Sequence, residues 1–205
     1  MRNIFKQICT PERDDSLPVL RSVLELSVEL AREDREGSKI GTIFTVRDEE
    51  HVFNYSRSLI IDPLFGHPEH LKRIDNADMR ETVKELAQLD GTFIVSGDGI
   101  VLSAAYYLET PTEGVNLPLD LGARHMAAAA MSSHTKAVAI VVSTSSIVRV
   151  FDDREIIGEI LPELWLIGRK STYIDHPKIK ESRDEKITVV TKEVKSKKNR
   201  KKKAS

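Results

Sequence analysis

The sequence predicts an α/β fold: a single globular domain with a central mixed β-sheet flanked by helices. Two observations carry that prediction. Segments with helical spacing of apolar residues alternate with short β-branched runs along residues 17–168. The chain has 205 residues, 40% of them hydrophobic, enough to bury one sizeable core at roughly 100–200 residues per domain. Residues 1–16 read as an N-terminal extension and residues 169–205 as a C-terminal extension ending in a basic tail.

From Leu17 to Glu36, Leu20, Val23, Leu24, Leu26, Val28, Leu30 and Ala31 recur at near-helical spacing, and Gly37 supplies a stop. The charged stretch AREDREGSK is the solvated end of that helix and its turn. Ile40 to Val46 is a buried strand by its β-branched and apolar content. A short helix follows over 49–58, and then Pro63, Gly66 and Pro68 restrict the chain to an ordered loop. His67 and His70 lie three apart there, but no Cys or further His stands at a spacing that would complete a metal site. Residues 77–88 are helical, with Met79, Val83, Leu86 and Ala87 on one face.

Thr92–Val95 and Ile100–Leu108 flank Ser96-Gly97-Asp98-Gly99, the signal of a hairpin. After a loop with Pro111, Gly114 and Pro118, the Ala-rich segment 123–133 has strong helix propensity and a narrow profile. Ala137–Ser143 and Ile147–Phe151 are further strands. Arg154 to Ile167 alternates charged and apolar residues in helix-like fashion, with Trp165 near its end and Gly158 and Pro162 interrupting it.

The formal net charge of −1 conceals two opposed parts. Residues 192–205 hold eight Lys/Arg against Glu193, a tail of +7, which leaves 23 basic and 31 acidic residues in 1–191, a body of −8. A basic run with so few apolar positions cannot offset its ordering entropy, so the tail is expected to be disordered. We read it as solubilising; contact with nucleic acid or an anionic surface is the less favoured reading, because the run has no aromatic residue to stack on bases. No apolar stretch approaches the roughly 18–20 residues of a membrane helix, and the opening MRNIFKQICTPERDD lacks a signal-peptide core, so a cytoplasmic location without a membrane span is expected. Cys9 has no partner in the chain, which excludes an intrachain disulfide and a zinc knuckle.

Three polar clusters fall at the junctions where α/β domains place ligands: Leu89-Asp90-Gly91-Thr92, Leu121-Gly122-Ala123-Arg124-His125-Met126 and Val141-Val142-Ser143-Thr144-Ser145. Each alone reads equally as a turn or a cap. Together they describe an anion site. Gly122 permits close backbone approach, the helix starting near Ala123 points its amides and positive dipole end at the ligand, and Arg124 and His125 add donors. A polyphosphate fits. Asp90 beside it would repel phosphate unless Mg²⁺ or Mn²⁺ intervenes. Tyr106 and Tyr107 end a strand nearby, and strand alternation lets only one of them line a given pocket and stack on a base.

LDGT at 89–92, IVSGDGIVLSAAYYL after it, and LGARHMAAAAMSSHTKAVAIVVS at 121–143 resemble, in order and spacing, the diadenylate cyclase domain family. That family carries a DGA motif, an RHR motif about 30 residues on, and an Ile/Val-Val-Ser strand. The likeness covers roughly 40–168, and 31–108 looks most like the archaeal branch. The resemblance implies a nucleotidyltransferase that condenses two ATP into cyclic di-AMP with release of two pyrophosphates. It does so across a face-to-face dimer, alone or within a higher oligomer, with Mn²⁺ or Mg²⁺. It also implies residue roles. Asp90 binds the metal and helps activate a 3′-hydroxyl. Gly91 presents its amide and Thr92 completes the motif. Gly122, Ala123, Arg124 and His125 hold the triphosphate, Ser143 contacts phosphate, and Tyr107 with Leu108 borders adenine. Three positions depart from the pattern: Thr92 stands for the usual Ala, Ala123 for Thr, and Met126 for the second Arg of RHR. Those departures support an alternative from another class, a catalytically weak or silent ATP or dinucleotide sensor. A third class, nucleic-acid binding through the tail, rests on 192–205 alone.

Overall fold

Helix α1 (Leu17–Arg32) buries Leu20, Val23, Leu24, Leu26, Val28 and Leu30, the spacing that predicts it. Its buried Ser27 hydroxyl donates to the Val23 carbonyl at 2.8 Å, so no polar group is stranded in the apolar face. The structure, a computed structural model, describes residue 8 and residues 17–35, 38–161, 177–182 and 187–192. The helix stops four residues before the expected Glu36. No apolar residue follows Ala31 until Ile40, so nothing holds a further turn to the core, and β1 (Asp34–Arg35) pairs antiparallel with β2 (Ser38–Lys39) instead.

The sheet is built around β3 (Thr42–Val46), all five residues of which are buried. It runs parallel to β5 (Thr92–Val95) and antiparallel to β7 (Val138–Val142). β5 turns through Ser96–Gly99 into β6 (Val101–Leu108), the expected hairpin. The turn is closed by Ser96 and Ile100, whose amide and carbonyl meet at 2.9 Å. β6 then pairs with β4 (Ser56–Ser58). The helix expected over 49–58 is therefore shorter: α2 (Glu49–Asn54) ends so that Ser56, Arg57 and Ser58 can pair with the otherwise open edge of β6. The loop after it is ordered by buried Leu64 and Ile74, and α3 (Ala77–Leu86) starts at Asn76, whose side chain caps the Asp78 amide.

Alternation along the strands divides the core between two faces. Phe44, Val46, Phe93, Val138, Ile140 and Val142 pack with α1 and α3, the two phenylalanine rings stacking at 5.0 Å. Ile43, Ile94, Ala139 and Val141 point to the other face, where Ala128, Ala129 and Ala130 of α4 (Ala123–His134) let that helix lie close against the sheet. Each fully buried phenylalanine contributes about 1.5–3 kcal/mol by its burial.

β7 continues into β8 (Val148–Asp152), and here the sequence reading needs correction. Residues 155–161 are not helical; they form β9 (Glu155–Leu161), antiparallel to β8. Asp153 and Arg154 both have positive φ, 46° and 62°, the two-residue turn whose twist matches a tight hairpin. Gly158 does not interrupt a helix. A Cβ there would lie 2.7 Å from Cδ1 of Ile8, so the glycine admits a side chain of the N-terminal extension into the core. Pro162 and Trp165 lie outside the described residues. Nor does the sheet stop at residue 168: β11 (Ile187–Lys192) pairs with β9, and β10 (Pro177–Ser182) pairs with β11. The buried Ile187, Val189 and Val190 mark this segment, and the β-branched run ITVVT was the available signal. The basic tail from residue 193 lies outside the described residues. Among the described residues the sheet order is β10-β11-β9-β8-β7-β3-β5-β6-β4. No helix among them is long and apolar enough to cross a membrane.

Candidate functional site

The strand ends carrying Thr92, Leu108, Val142 and Arg149 converge with the start of α4 around a cavity of about 1070 Å³. That size is ample for one nucleotide. All three polar clusters singled out in the sequence border it.

Asp90 stands at the mouth, its side chain 76% exposed. Its Oδ1 accepts the Gly91 amide at 3.0 Å and Nη2 of Arg124 at 2.6 Å. The two motifs thus meet across 34 residues of chain. Gly91 has φ +117°, and a Cβ on it would lie 2.9 Å from the backbone of Ala105 and Tyr106. The Asp-Gly turn is pressed onto β6 at a bulge: the two-residue step from Thr92 to Ile94 on β5 is matched by a three-residue step from Tyr106 to Ser103 on β6, and Ala105 has φ +57°. The Thr42 hydroxyl secures the turn by donating to the Gly91 carbonyl at 3.2 Å. Thr92 itself is buried.

Gly122 caps α4 without a side-chain hydrogen bond, leaving the first turn directed at the cavity. Ala123 and Arg124 are exposed there, whereas His125 is buried. Room for the Arg124 guanidinium depends on Gly41, where a Cβ would lie 3.0 Å from Cγ2 of Thr144 and 3.3 Å from Nη1 of Arg124. Sequence reading took Gly41 only as part of a strand. Met126, at the position of the missing Arg, packs half-buried on the apolar face under α4.

His125 does not present a charge. Burial first, then the Arg149 and Arg124 guanidinium groups, push its pKa down to about 4, against a weaker opposing pull from Asp120. Its Nε2 lies 3.1 Å from Nη1 of Arg149 and accepts that donor, which puts the ring proton on Nδ1. Nε of Arg149 in turn donates to Oε1 of Glu159 at 2.8 Å, with both side chains buried. Sequence reading missed Arg149 and Glu159; the signal was a charged residue on each of two neighbouring apolar strands.

Ser143 directly follows β7, and its hydroxyl pairs with that of Ser145 at 2.9 Å in the turn to β8. Tyr107 is half-exposed under the Arg57 guanidinium, 5.2 Å from its ring centroid, and Leu108 is buried at the cavity wall. Tyr106 borders the cavity as well, contrary to the expectation that only one of the pair would. The bulge at Ala105 breaks the strict alternation on which that expectation rested.

Among the described residues no group of three His, Cys, Asp or Glu forms a preformed metal cage. The exposed Asp90 carboxylate suits a different kind of site, in which Mg²⁺ or Mn²⁺ arrives held largely by substrate phosphates and water and takes one protein carboxylate. The exposed bridge to Arg124 is worth about 1 kcal/mol or less, so Asp90 is available for exchange.

The family model described as DisA bacterial checkpoint controller nucleotide-binding matches residues 29–156. A diadenylate cyclase of Methanocaldococcus jannaschii is 43% identical over 144 residues, covering 70% of this chain and 45% of that protein. One of Haloferax volcanii is 39% identical over 148 residues, covering 72% and 54%. The chain thus spans about half the length of these curated relatives. Among solved structures, DacA from Staphylococcus aureus is similar with a TM-score of 0.43 at 20% identity, over 68% of this chain and 84% of that one. The match over 29–156 takes in the Asp90 turn, the Arg124 helix start and the Ser143 strand end alike, and by it the chain belongs to the DisA checkpoint-controller nucleotide-binding family, the diadenylate cyclase domain.

Proposed function

We propose that the chain is a diadenylate cyclase that condenses two ATP molecules into cyclic di-AMP and two pyrophosphates. The observation that carries this reading is the meeting of Asp90 with Arg124 at the open start of α4, on the wall of a nucleotide-sized cavity. It is supported by two curated relatives of that name.

Each cavity holds one ATP, and two protomers face each other so that each 3′-oxygen attacks the other nucleotide's α-phosphorus. A phosphorus–oxygen bond forms to the 3′-oxygen, the bond to the β-phosphate oxygen breaks, and pyrophosphate leaves with the electron pair. The 3′-hydroxyl proton passes toward Asp90 and on to solvent. Asp90 is the residue that would hold Mn²⁺ or Mg²⁺, which when bound lowers the hydroxyl's pKa and neutralises phosphate charge. Arg124 and the amides of the first turn of α4 receive the phosphates. Gly91 and Thr92 form the floor, Ser143 meets phosphate from the opposite side, and Tyr107 with Leu108 borders adenine. His125, neutral and turned to Arg149, supports the turn rather than donating from Nε2. Positioning and charge neutralisation are what this transfer chiefly requires. The exposed Ile61 and Phe65, on the loop that follows cavity-lining Leu59, give the protomer an apolar surface for self-association.

Purified chain incubated with ATP and Mn²⁺ or Mg²⁺ should yield cyclic di-AMP by mass spectrometry. The Asp90→Asn variant should keep its fold and lose at least about 100-fold in rate. ATP binding without product in either metal would replace this reading by that of a sensor module.

A further inference from the structure

Arg149 and Glu159 stand directly opposite one another on β8 and β9, with side chains 8% and 4% exposed. Such a buried pair adds little to stability, because the desolvation of two charges offsets their attraction and an apolar pair of similar volume does as well or better. Phe151, two residues along β8 from Arg149, is fully buried on the α4 face, so an apolar side chain suits that face of the strand. The presence of the pair at the cavity wall therefore asks for a task there.

The third partner defines the task. Nη1 of Arg149 reaches His125 in the first turn of α4, so the guanidinium grips that turn at one end and Glu159 at the other. Met126, the neighbouring position where the family pattern has an arginine, packs into the apolar face and offers no such tie. The geometry points to Arg149, held by Glu159, as a positioning residue. It fixes the His125 ring as an acceptor at Nε2 and so holds Arg124 and the amides of this turn toward the phosphate end of a nucleoside triphosphate. The arginine absent from the helix is thus answered from the sheet. Arg149 meets its two partners through separate nitrogens, Nε toward Glu159 and Nη1 toward His125, a planar spread that the single nitrogen of a lysine does not reproduce. The inference rests on reading the cavity as a nucleotide site.

Two variants test it. Arg149→Lys keeps a cation opposite Glu159, and the double variant Arg149→Leu with Glu159→Leu removes both charges, so neither leaves a buried carboxylate unpaired. Nitrogen NMR of the ligand-free full chain with labelled histidine should show His125 protonated at Nδ1 and hydrogen-bonded at Nε2 in the wild type, and that signature should be lost in both variants. Calorimetry with Mn²⁺ should show ATP affinity falling about tenfold in each while adenosine affinity holds within about threefold. An ATP loss below about threefold, an equal loss for adenosine, or an unchanged His125 signature in the double variant overturns the proposal. If the wild type binds ATP yet makes no cyclic di-AMP, the cyclase reading alone fails, since binding still decides the role of Arg149.

Discussion

Acidification acts on this fold through His125. In the unfolded chain its pKa is the ordinary imidazole value of 6.5, and in the folded chain it is pushed down to about 4. Between those values the unfolded state takes up a proton that the folded state refuses, so stability falls as pH drops through 6.5 and the loss levels off below 4. The full difference corresponds to about 3 kcal/mol. At pH 5 about 2 kcal/mol of that is already lost relative to pH 8, a large part of the stability of an ordinary domain. Urea denaturation at pH 8 and pH 5, on wild type and on His125→Gln, isolates the effect. Gln can still accept from Arg149 but does not titrate, and the carboxylates titrate alike in both proteins. The wild type should lose about 2 kcal/mol more than the variant over that interval. Equal losses would refute the burial and charge argument made for this ring.

Gly91→Ala should destabilise the fold by about 2 kcal/mol or more, because it adds a Cβ to a residue at φ +117° and sets it 2.9 Å from β6 backbone that cannot yield. A urea midpoint unchanged from wild type would contradict the close approach. Gly41→Ala meets side chains rather than backbone: its Cβ would press on the Thr144 methyl at 3.0 Å and the Arg124 guanidinium at 3.3 Å, both of which can shift, so stability drops by only about 1 kcal/mol while displacement of Arg124 raises the KM for ATP several-fold. Kinetics and thermal melts on one preparation separate these outcomes, and a large fall in melting temperature with an unchanged KM would count against them. Chelation with EDTA should abolish turnover and weaken ATP binding without lowering the melting temperature of the ligand-free protein, since no preformed cage holds a metal among the described residues.

The parts of the site written in contiguous residues were legible in the sequence. Asp-Gly before a strand and Gly before an Ala-rich helix carry their geometry locally, through a positive φ at Gly91 and an uncapped turn after Gly122. Gly41, Arg149 and Glu159 were not, because their roles come from what tertiary packing sets beside them. A charged residue within a strand ordinarily reads as the solvent-facing half of an alternation, and only the pairing of β8 with β9 turns Arg149 and Glu159 inward toward each other. The misreading of 154–161 has a similar origin. Residues EIIGEIL suit either periodicity over so short a run, and the turn that decides for a strand uses Asp153 and Arg154, which carry none of the usual Asn-Gly signal.

Under the proposed function, the arrangement of charge also explains how an acidic body would accommodate a polyanion. At −8 over residues 1–191, the long-range field does not draw ATP in, and at physiological salt it is screened beyond about 8 Å. Local pairing must do the work. Arg124 faces Asp90, Arg149 faces Glu159, and His125 is neutral, so these groups together are close to balanced. The two ion pairs are not equivalent. The exposed one is worth about 1 kcal/mol or less and can open, freeing Arg124 for phosphate and Asp90 for a cation. The buried one would leave a stranded charge if it opened, which costs about 3–5 kcal/mol, so it stays closed. One pair is thereby suited to exchange partners during a reaction and the other to hold the helix start still while it happens.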